Sequence, residues 1–273
     1  MGRQAPRRNS RAETLSAYIL SERTVLIVQA RMRSTRLPGK SLMDLAGAPL
    51  VQRIIERIKR CQAFDAIVLA VPAGAADDPL AALGEAMQIE VFRGAENDCL
   101  DRYYQAAKRN GATLVGRLPA DNAAPEPEEM DRIVRHHRSL GRPGFSSNLA
   151  QVFGNEYPDG IGCEVFDFTL LEQAWERNTA QRQREHVHLN FFDYATQTPV
   201  DPSWCPVSTV KCPAGFRRPD LVLDVNTPEQ YEFMRELYAY LYPRNPAFHI
   251  TDIVRWYDEI YRKKSSPAAQ LAV

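Results

Sequence analysis

The sequence has no net charge, no closely spaced cysteine pair and no internal repeat. Lys plus Arg and Asp plus Glu number 34 each in 273 residues, so the overall charge does not favour nucleic acid or an anionic membrane as a partner. The five cysteines are widely spaced, without a Cys-x-x-Cys motif, which favours reduced thiols over a disulfide framework or a zinc site. These absences favour a cytoplasmic protein without nucleic acid or membrane partners.

The two ends of the chain differ in composition from its centre. Residues 1–22 carry four arginines, and their apolar stretch around Ala17 to Leu20 is too short for a signal-peptide core or a membrane span. We expect a basic, flexible extension at 1–22, for which a transit peptide is the alternative interpretation. One α/β domain is expected at 23–262, because 44% hydrophobic residues suffice for a substantial core. The residues 263–273 are expected to form a polar tail.

Apolar runs of strand length alternate with segments of helical periodicity. Strands are expected at 25–28, 66–71, 89–92, 113–118 and 221–225, and helices at 49–61, 80–87, 98–108, 228–242 and 251–263. Because successive strand–helix–strand units form right-handed parallel crossovers, the pattern predicts an α/β fold with a Rossmann-like, doubly wound, mostly parallel sheet. At about 145–166, short β-like pieces separated by glycines predict a small inserted β lobe with acceptor contacts and a dimer surface.

A basic loop follows the first expected strand. Residues 30–40 contain four cations and no carboxylate. The cations are Arg31, Arg33, Arg36 and Lys40. Because ligands of such sheets bind beyond the carboxyl ends of the strands, and because Gly39 lets backbone N–H groups approach an anion, the loop predicts a polyphosphate site. A solvated surface loop is the alternative.

Oxygen ligands follow two other expected strands. Asp121 comes after the strand that ends at Leu118, and Asp224 and Asn226 lie at the end of the strand from Leu221. Because the carboxyl ends of parallel strands meet at one edge, these side chains are expected near the basic loop. Mg²⁺ prefers oxygen ligands beside substrate phosphates, so the pattern predicts a magnesium site. Helix capping or a turn is the alternative role for each residue.

Several motifs together resemble one family. The segment from Val28 to Lys40, VQARMRSTRLPGK, resembles the opening motif of the cytidylyltransferases of the spore-coat polysaccharide, acylneuraminate and 3-deoxy-manno-octulosonate types. Further motifs look like the spore-coat branch in order and spacing: Phe92-Arg93-Gly94, Asp98 to Tyr104, Tyr157 to Gly160, Glu164 to Phe166, Arg184 to Val187 and Val225 to Glu229. Their combination covers nearly the whole chain and is far more specific than any one piece.

The resemblance implies a GT-A-like nucleotidyltransferase fold, a homodimer, and an enzyme that joins the CMP part of CTP to an acceptor oxygen with Mg²⁺, releasing pyrophosphate. It implies that Arg31, Arg36 and Lys40 hold the triphosphate and stabilise charge in the transition state, and that Asp121 binds the metal. The residues implied to contact the nucleotide are Gln29, Ala30, Arg31, Ser34, Arg36, Lys40, Arg93, Gly94, Asp98 and Arg102. Those implied to face the acceptor are Asn148, Asp159, Glu164, Glu185 and His186.

Two metal positions depart from the family pattern. The family usually has Gly-Asp, then an acidic residue or Cys, then Pro, whereas this chain reads Ala120-Asp121-Asn122-Ala123. At the second metal position it has Asn226 where the family commonly has Asp. An Asn oxygen coordinates Mg²⁺ more weakly because it lacks charge, and Asp224 could compensate.

The acceptor and the reaction class leave alternatives. A sugar hydroxyl needs a base such as Glu185 or His186, whereas the anionic oxygen of a sugar phosphate or a phosphonate needs cations instead. A glycosyltransferase of related architecture is disfavoured, because the sequence contains no Asp-x-Asp triplet. A non-catalytic nucleotide-binding protein is the other rival, and it predicts CTP binding without release of pyrophosphate.

Overall fold

The apolar run Thr24–Gln29 forms the central strand of the computed structural model, which describes residues 22–264. Helices cover both sides of this strand, which explains a continuous apolar run rather than an alternating one. The strands in this part of the chain are β1 (Thr24–Gln29), β2 (Asp44–Leu45), β3 (Ala48–Pro49), β4 (Ala66–Pro72), β5 (Glu90–Gly94), β6 (Leu114–Pro119), β7 (Phe145–Ser147), β8 (Glu164–Asp167), β9 (Phe192–Asp193), β10 (Thr198–Pro199) and β11 (Val207–Ser208). Within residues 22–264 they form a seven-stranded sheet in the order β11-β7-β8-β6-β1-β4-β5 and two small hairpins, β2-β3 and β9-β10.

The helices connect these strands and pack on the sheet. They are α1 (Leu50–Ile58), α2 (Asp78–Ala86), α3 (Cys99–Arg109), α4 (Pro127–Ser139), α5 (Phe168–Arg177), α6 (Gln181–Glu185), α7 (Pro228–Leu241), α8 (Ile250–Trp256) and α9 (Arg262–Lys264), with a π-helical stretch at Tyr257–Tyr261. Short 3₁₀ helices lie at Lys40–Leu42, Ala75–Asp77, Val187–Asn190 and Ala214–Phe216.

None of the described helices has the length and apolar content needed to cross a bilayer. All five cysteines fall within the described range and are free thiols.

The sheet separates two hydrophobic layers. β1 pairs in parallel with β4 on one side and β6 on the other, and β4 pairs in parallel with β5. Side chains of β1 alternate between the layers: Leu26 and Val28 pack in the layer that contains α1, while Val25 and Ile27 pack in the layer that contains α3. The prediction of a doubly wound, mostly parallel α/β sheet is confirmed. The order of strands reverses between β1 and β6, and such a reversal opens a ligand crevice at the carboxyl edge.

The segment 145–166 differs from the expected inserted β lobe. Its ends, β7 and β8, join the central sheet, where β8 pairs antiparallel to both β6 and β7. Phe145 and Phe166 are fully buried and stack with ring centroids 6.2 Å apart. The glycines that suggested a separate lobe belong to the loop between the two strands, and burial of the aromatic strand ends favours pairing with the main sheet.

The segment 221–225 was expected to be a core strand of the sheet, and this expectation is wrong. It makes only isolated bridges, Asn122 with Asp224 and Asp159 with Val222. Leu221, Leu223 and Val225 are buried while Val222 is 40% exposed. This alternation is typical of a half-buried segment, and the segment lies along two loops at the carboxyl edge rather than within the sheet.

Truncation of a buried isoleucine tests the packing of the α1 layer. Ile54 is fully buried in that layer, so Ile54→Ala should lower the free energy of unfolding by about 2–5 kcal/mol. Ile260→Ala is the matched control, because Ile260 is 38% exposed, and a change within about 0.5 kcal/mol is expected there. Urea unfolding followed by circular dichroism measures both values. Equal losses in the two variants would contradict the assigned core.

Candidate active site

A cleft opens at the carboxyl edge of the sheet, above β1 and β6. Its volume is about 250 Å³. The lining residues are Gln29, Ala30, Arg31, Ser34, Thr35, Arg36, Lys40, Ser41, Arg117, Pro119, Ala120, Asp121, His186 and Asn226. The basic loop thus forms one wall, and the ends of β6 and of the segment 221–226 contribute the opposite side. This is the edge at which open α/β sheets bind ligands.

The basic loop folds back on itself to bring Lys40 towards the cleft. The carbonyl of Met32 accepts hydrogen bonds from the backbone N–H groups of Ser34 (3.1 Å) and Gly39 (3.0 Å). Gly39 has φ 72°, a left-handed conformation that a residue with a Cβ adopts only with strain. Asp77 fixes the start of the loop by accepting a 2.7 Å hydrogen bond from the Met32 N–H. Gly39 therefore has a conformational role, directly before the 3₁₀ helix that begins at Lys40.

The ammonium of Lys40 lies among three oxygen atoms. Its Nζ donates to Val225 O (2.8 Å), Asp121 Oδ2 (3.0 Å) and Asn226 Oδ1 (3.1 Å). Asn226 Oδ1 also accepts a 2.7 Å hydrogen bond from Arg36 Nη2. The structure thus places Lys40, Arg36, Asp121 and Asn226 together, as the topology of the sequence predicts.

A group of carboxylates lies beside this ammonium. Asp224 accepts hydrogen bonds from the side-chain amides of Asn226 and Gln230, the latter at 3.1 Å, and burial together with the neighbouring Asp121 raises its pKa. Burial, Asp224 and Asp121 also raise the pKa of Asp159 to about 7. Asp159 was expected to face the acceptor, but its position associates it with the predicted metal residues.

The predicted metal residues offer oxygen donors that already bind a cation. Asp121, Asn226 and the carbonyl of Val225 surround the Lys40 ammonium, and such oxygens suit Mg²⁺. Asp224 is turned towards two amide groups. Among residues 22–264, no group of three or more His, Cys, Asp or Glu side chains has an arrangement suited to a metal ion. The chemistry of the donors fits magnesium, and the site stays a prediction.

The inner wall contains an arginine that the sequence analysis did not single out. Arg117 Nη1 donates to both oxygens of Glu164 at 2.8 Å, and Glu164 Oε1 also accepts from the Tyr194 hydroxyl at 3.0 Å. Arg117 is paired in register with Ile27, so its side chain shares a face of the sheet with Gln29. The available signal was an arginine inside an otherwise apolar strand. Arg117 Nε and Gln29 Oε1 are buried and have no hydrogen-bond partner among the described residues.

Two histidines lie near Arg117. His186 lines the cleft, and burial, with Arg117 and Arg31 nearby, lowers the pKa of its ring although Glu185 acts in the opposite direction. His188 is more deeply buried, and burial together with Arg117 lowers its pKa to about 3. Both rings are therefore neutral at neutral pH. Only His186 lines the cleft, where it is available to a substrate.

Four residues predicted to contact the nucleotide do not line the cleft. Arg93 pairs with Asp78 at 2.6 Å and donates to the carbonyls of Ala73 and Gly74. Asp98 accepts the N-cap hydrogen bond of α3. Arg102 is buried and donates to the carbonyls of Ala95 and Glu96.

The close packing at Gly94 fits this arrangement. A Cβ at this position would lie 2.8 Å from Arg102 Cγ. Arg102 and Gly94 therefore shape the loop between β5 and α3. Arg93, Gly94, Asp98 and Arg102 lie outside the cleft lining, and their contact with a nucleotide stays a prediction.

Two of the predicted acceptor residues are buried and structural. Asn148 is fully buried, its Nδ2 donates to Glu129 O (2.8 Å) and its Oδ1 accepts from the Cys163 N–H (3.1 Å). Glu164 is also fully buried, against Arg117. Their polar atoms are already bonded within the fold, so neither side chain is open to the cleft, and their contact with an acceptor stays a prediction. Glu185 is half-exposed beside the cleft, where it pairs with Arg31 at 3.1 Å.

Two comparisons of the sequence with known proteins gave matches over most of the chain. A family model described as Cytidylyltransferase matches residues 25–249. The spore coat polysaccharide biosynthesis protein SpsF of Bacillus subtilis is 30% identical over 219 residues, which are 78% of this chain and 85% of that protein.

Solved structures share the fold. A cytidylyltransferase from Leptospira borgpetersenii aligns with a TM-score of 0.77 at 23% identity, over 88% of this chain and 96% of that one. A CMP:2-keto-3-deoxy-manno-octonic acid synthetase, solved in complex with CTP, aligns with a TM-score of 0.60 at 15% identity, over 80% of this chain and 99% of that one. At these identities the structural likeness establishes the fold alone.

The raised pKa of Asp159 predicts a pH dependence of stability. With a pKa of about 7 in the folded protein against 3.8 for an ordinary aspartate, the folded chain binds a proton that the unfolded chain has lost. The contribution of Asp159 to stability therefore falls as the pH rises from 3.8 to about 7. Asp159→Asn removes this fall and should raise the free energy of unfolding at pH 8 by about 2–4 kcal/mol.

Urea unfolding at pH 5 and pH 8, in the presence of a chelator, measures this effect. The control is Asp220→Asn, which removes an exposed carboxylate from the neighbouring segment and should keep the wild-type pH dependence. If Asp159→Asn also keeps the wild-type pH dependence, the result would contradict the burial of the Asp159 carboxylate beside Asp121 and Asp224.

Proposed function

The chain belongs to the cytidylyltransferase family, and from this premise we propose that it transfers the CMP part of CTP to a hydroxyl oxygen of a sugar-type acceptor, releasing pyrophosphate. As a member it is a CTP-dependent nucleotidyltransferase. The observation that carries the proposal is the convergence of Arg36, Lys40, Asp121 and Asn226 on one cleft at the carboxyl edge of the sheet. These residue types suit a triphosphate and its accompanying cation.

The basic loop is proposed to hold the triphosphate. Arg31, Arg36 and Lys40 line the cleft, and hydrogen bonds from such cations to phosphate oxygens are stronger than neutral ones. In phosphoryl-type transfer the protein contributes mainly positioning and neutralisation of charge. These three side chains would therefore stabilise the negative charge that moves to the leaving pyrophosphate. Gln29, Ala30 and Ser34 line the same cleft and are proposed to contact the rest of the nucleotide.

Magnesium is proposed as the cofactor. Asp121 and Asn226 would hold it, with Asp224 as the nearby carboxylate that could compensate for the missing charge of Asn226. When bound, Mg²⁺ neutralises phosphate charge and polarises the phosphate that is attacked. Lys40 would then leave these oxygens for the triphosphate, so the Asp121 carboxylate would exchange one cationic partner for another.

A hydroxyl acceptor is favoured over a phosphonate by the composition of the inner wall. A hydroxyl must lose a proton as it attacks, and the neutral ring of His186 lines the cleft and can accept it. The basic residue of the inner wall, Arg117, is already neutralised by Glu164. Three arginines that could serve an anionic acceptor have other partners: Arg184 pairs with Asp98, Arg217 with Glu156 and Arg218 with Asp258.

We propose that the product is an activated sugar for a surface polysaccharide. The support is the similarity to a spore coat polysaccharide biosynthesis protein over 78% of this chain. A homodimer and a cytoplasmic location are part of the same proposal, drawn from the resemblance to the family.

The release of pyrophosphate from each nucleotide tests the proposal. CTP is compared with ATP, GTP and UTP, each with a panel of acidic sugars, sugar phosphates and phosphonates, in the presence of Mg²⁺. We expect pyrophosphate with CTP only, and only with acceptors that carry a reactive hydroxyl. Tight CTP binding without pyrophosphate would favour a non-catalytic nucleotide-binding protein, and turnover with phosphonates alone would exclude the hydroxyl acceptor.

Replacement of Lys40 tests the role of the basic loop. Lys40→Ala should lower the rate of CMP transfer by about 10²–10³-fold, the loss expected when one donor to a developing negative charge is removed. Lys59→Ala is the control, because Lys59 is an exposed lysine at the end of α1. Circular dichroism should show both variants folded. Unchanged turnover in Lys40→Ala would remove the loop from the mechanism.

A further inference from the structure

Arg31 and Glu185 form an ion pair beside the cleft, and the role inferred for it rests on the proposed function. Arg31 Nη2 lies 3.1 Å from Glu185 Oε1, and the two side chains are 35% and 38% exposed. The pair joins the basic loop, on the nucleotide side of the cleft, to the end of α6, which precedes His186 on the proposed acceptor side. A half-exposed pair of this kind contributes little to stability, so a stronger partner can displace it.

A triphosphate is such a partner. Arg31 lines the cleft, and an arginine can bind phosphate oxygens through two parallel charge-assisted hydrogen bonds. Because Glu185 holds Arg31 by a single hydrogen bond from Nη2, the charged oxygens of a phosphate in the cleft compete with Glu185 for this guanidinium. Binding of the nucleotide therefore competes with the ion pair, and it leaves the Glu185 carboxylate without its cation.

The backbone around Glu185 is held independently of Arg31. Its neighbour Arg184 donates through Nε to both oxygens of Asp98 at 2.9 Å and through Nη1 to the carbonyl of Trp175 at 2.9 Å. Asp98 in turn caps α3. Because the end of α6 is fixed in this way, loss of the Arg31 contact leaves Glu185 next to His186 at the cleft.

The charges around His186 give this exchange a chemical consequence. The groups that act on its ring are Glu185, Arg117, Arg31 and Arg182, with the ring of His188 6.0 Å away. Glu185 is the only carboxylate among them. While Arg31 is paired with Glu185, the guanidinium offsets the effect of that carboxylate on the imidazole. When a phosphate neutralises Arg31, that guanidinium no longer offsets Glu185, and the carboxylate makes the imidazole a stronger base.

We propose that Glu185 is a positioning residue with two alternative partners: it holds Arg31 before the nucleotide binds, and after Arg31 turns to the triphosphate it supports His186. In the transfer step the acceptor O–H bond breaks and its proton passes to His186. The acceptor oxygen forms a bond to the α-phosphorus, and the bond from that phosphorus to the bridging oxygen breaks with its electron pair leaving on pyrophosphate. The nucleotide thereby prepares the base for the acceptor, and CTP binds first.

Glu185→Gln separates this role from a structural one. The amide cannot form an ion pair with Arg31, so CTP should bind to the variant about two- to fivefold more tightly than to the wild type, since the displaced competitor is a weak surface pair. A structural role predicts the opposite sign. Isothermal titration with CTP and Mg²⁺ measures the affinity. Glu185→Ala is the second variant, and it should show the same direction.

Kinetics provide a second measurement, with an acceptor from the panel that the wild type turns over. In Glu185→Gln we expect kcat to fall about tenfold or more, the KM for CTP not to rise, and the acid limb of the pH profile to move to lower pH because His186 loses its neighbouring negative charge. Glu90→Gln is the matched control. Glu90 forms a 3.3 Å pair with Arg109 and is 34% exposed, at the opposite edge of the sheet, so wild-type values are expected.

The outcomes distinguish the two proposals. If the wild type does not bind CTP, or releases no pyrophosphate with any acceptor, the proposed function fails and this inference fails with it. If the wild type binds CTP but Glu185→Gln binds it more weakly, the exchange of partners is overturned while the proposed function stands. An unchanged kcat and acid limb in Glu185→Gln would likewise overturn the support of His186 by Glu185.

Discussion

The site depends on the hydrogen bonds that the ammonium group of Lys40 donates. Lys40 Nζ joins three separate parts of the chain: the loop after β1, the end of β6 through Asp121, and the segment 221–226 through Val225 O and Asn226. The Lys40 side chain is only 12% exposed, and a buried cation needs such partners. The same three oxygens that compensate this charge define a place where a cation is favourable. Their arrangement explains why the segment 221–226 lies beside the loops instead of extending the sheet.

The parallel pairing of β1 and β6 makes this convergence possible. Each strand runs into the crevice at its carboxyl end, so short loops deliver the basic residues and Asp121 to one point. β8 pairs antiparallel to β6 and brings Glu164 opposite Arg117. One sheet edge thus carries two neighbouring ion pairs, Lys40 with Asp121 and Arg117 with Glu164. The central sheet and its loops position both pairs without a separate lobe.

Local patterns allowed most of the parallel sheet and the basic loop to be predicted from the sequence. Apolar runs identify β1, β4 and β6, and Asp98 caps α3 because its side chain suits that position. Other features depend on partners distant in the chain. Nothing near Asn148 in the sequence indicates that its amide bonds to the backbone of Glu129 and Cys163. The ion pair of Arg117 depends on Glu164, which the neighbouring strand β8 places opposite it. The run 221–225 is apolar enough for a strand, but tertiary contacts decide where it lies.

The cations of the basic loop are each compensated within the fold, and this has consequences for binding. Arg31 pairs with Glu185, Arg33 with Glu96 and Lys40 with Asp121, while Arg36 bonds to Asn226. A polyphosphate gains affinity only by the difference between its own contacts and those it displaces. Of the partners, Asp121 and Asn226 line the cleft, and Glu185 lies beside it, next to His186. In the proposed exchange of partners, binding of the nucleotide would therefore rearrange the charges around Glu185 and Asp121.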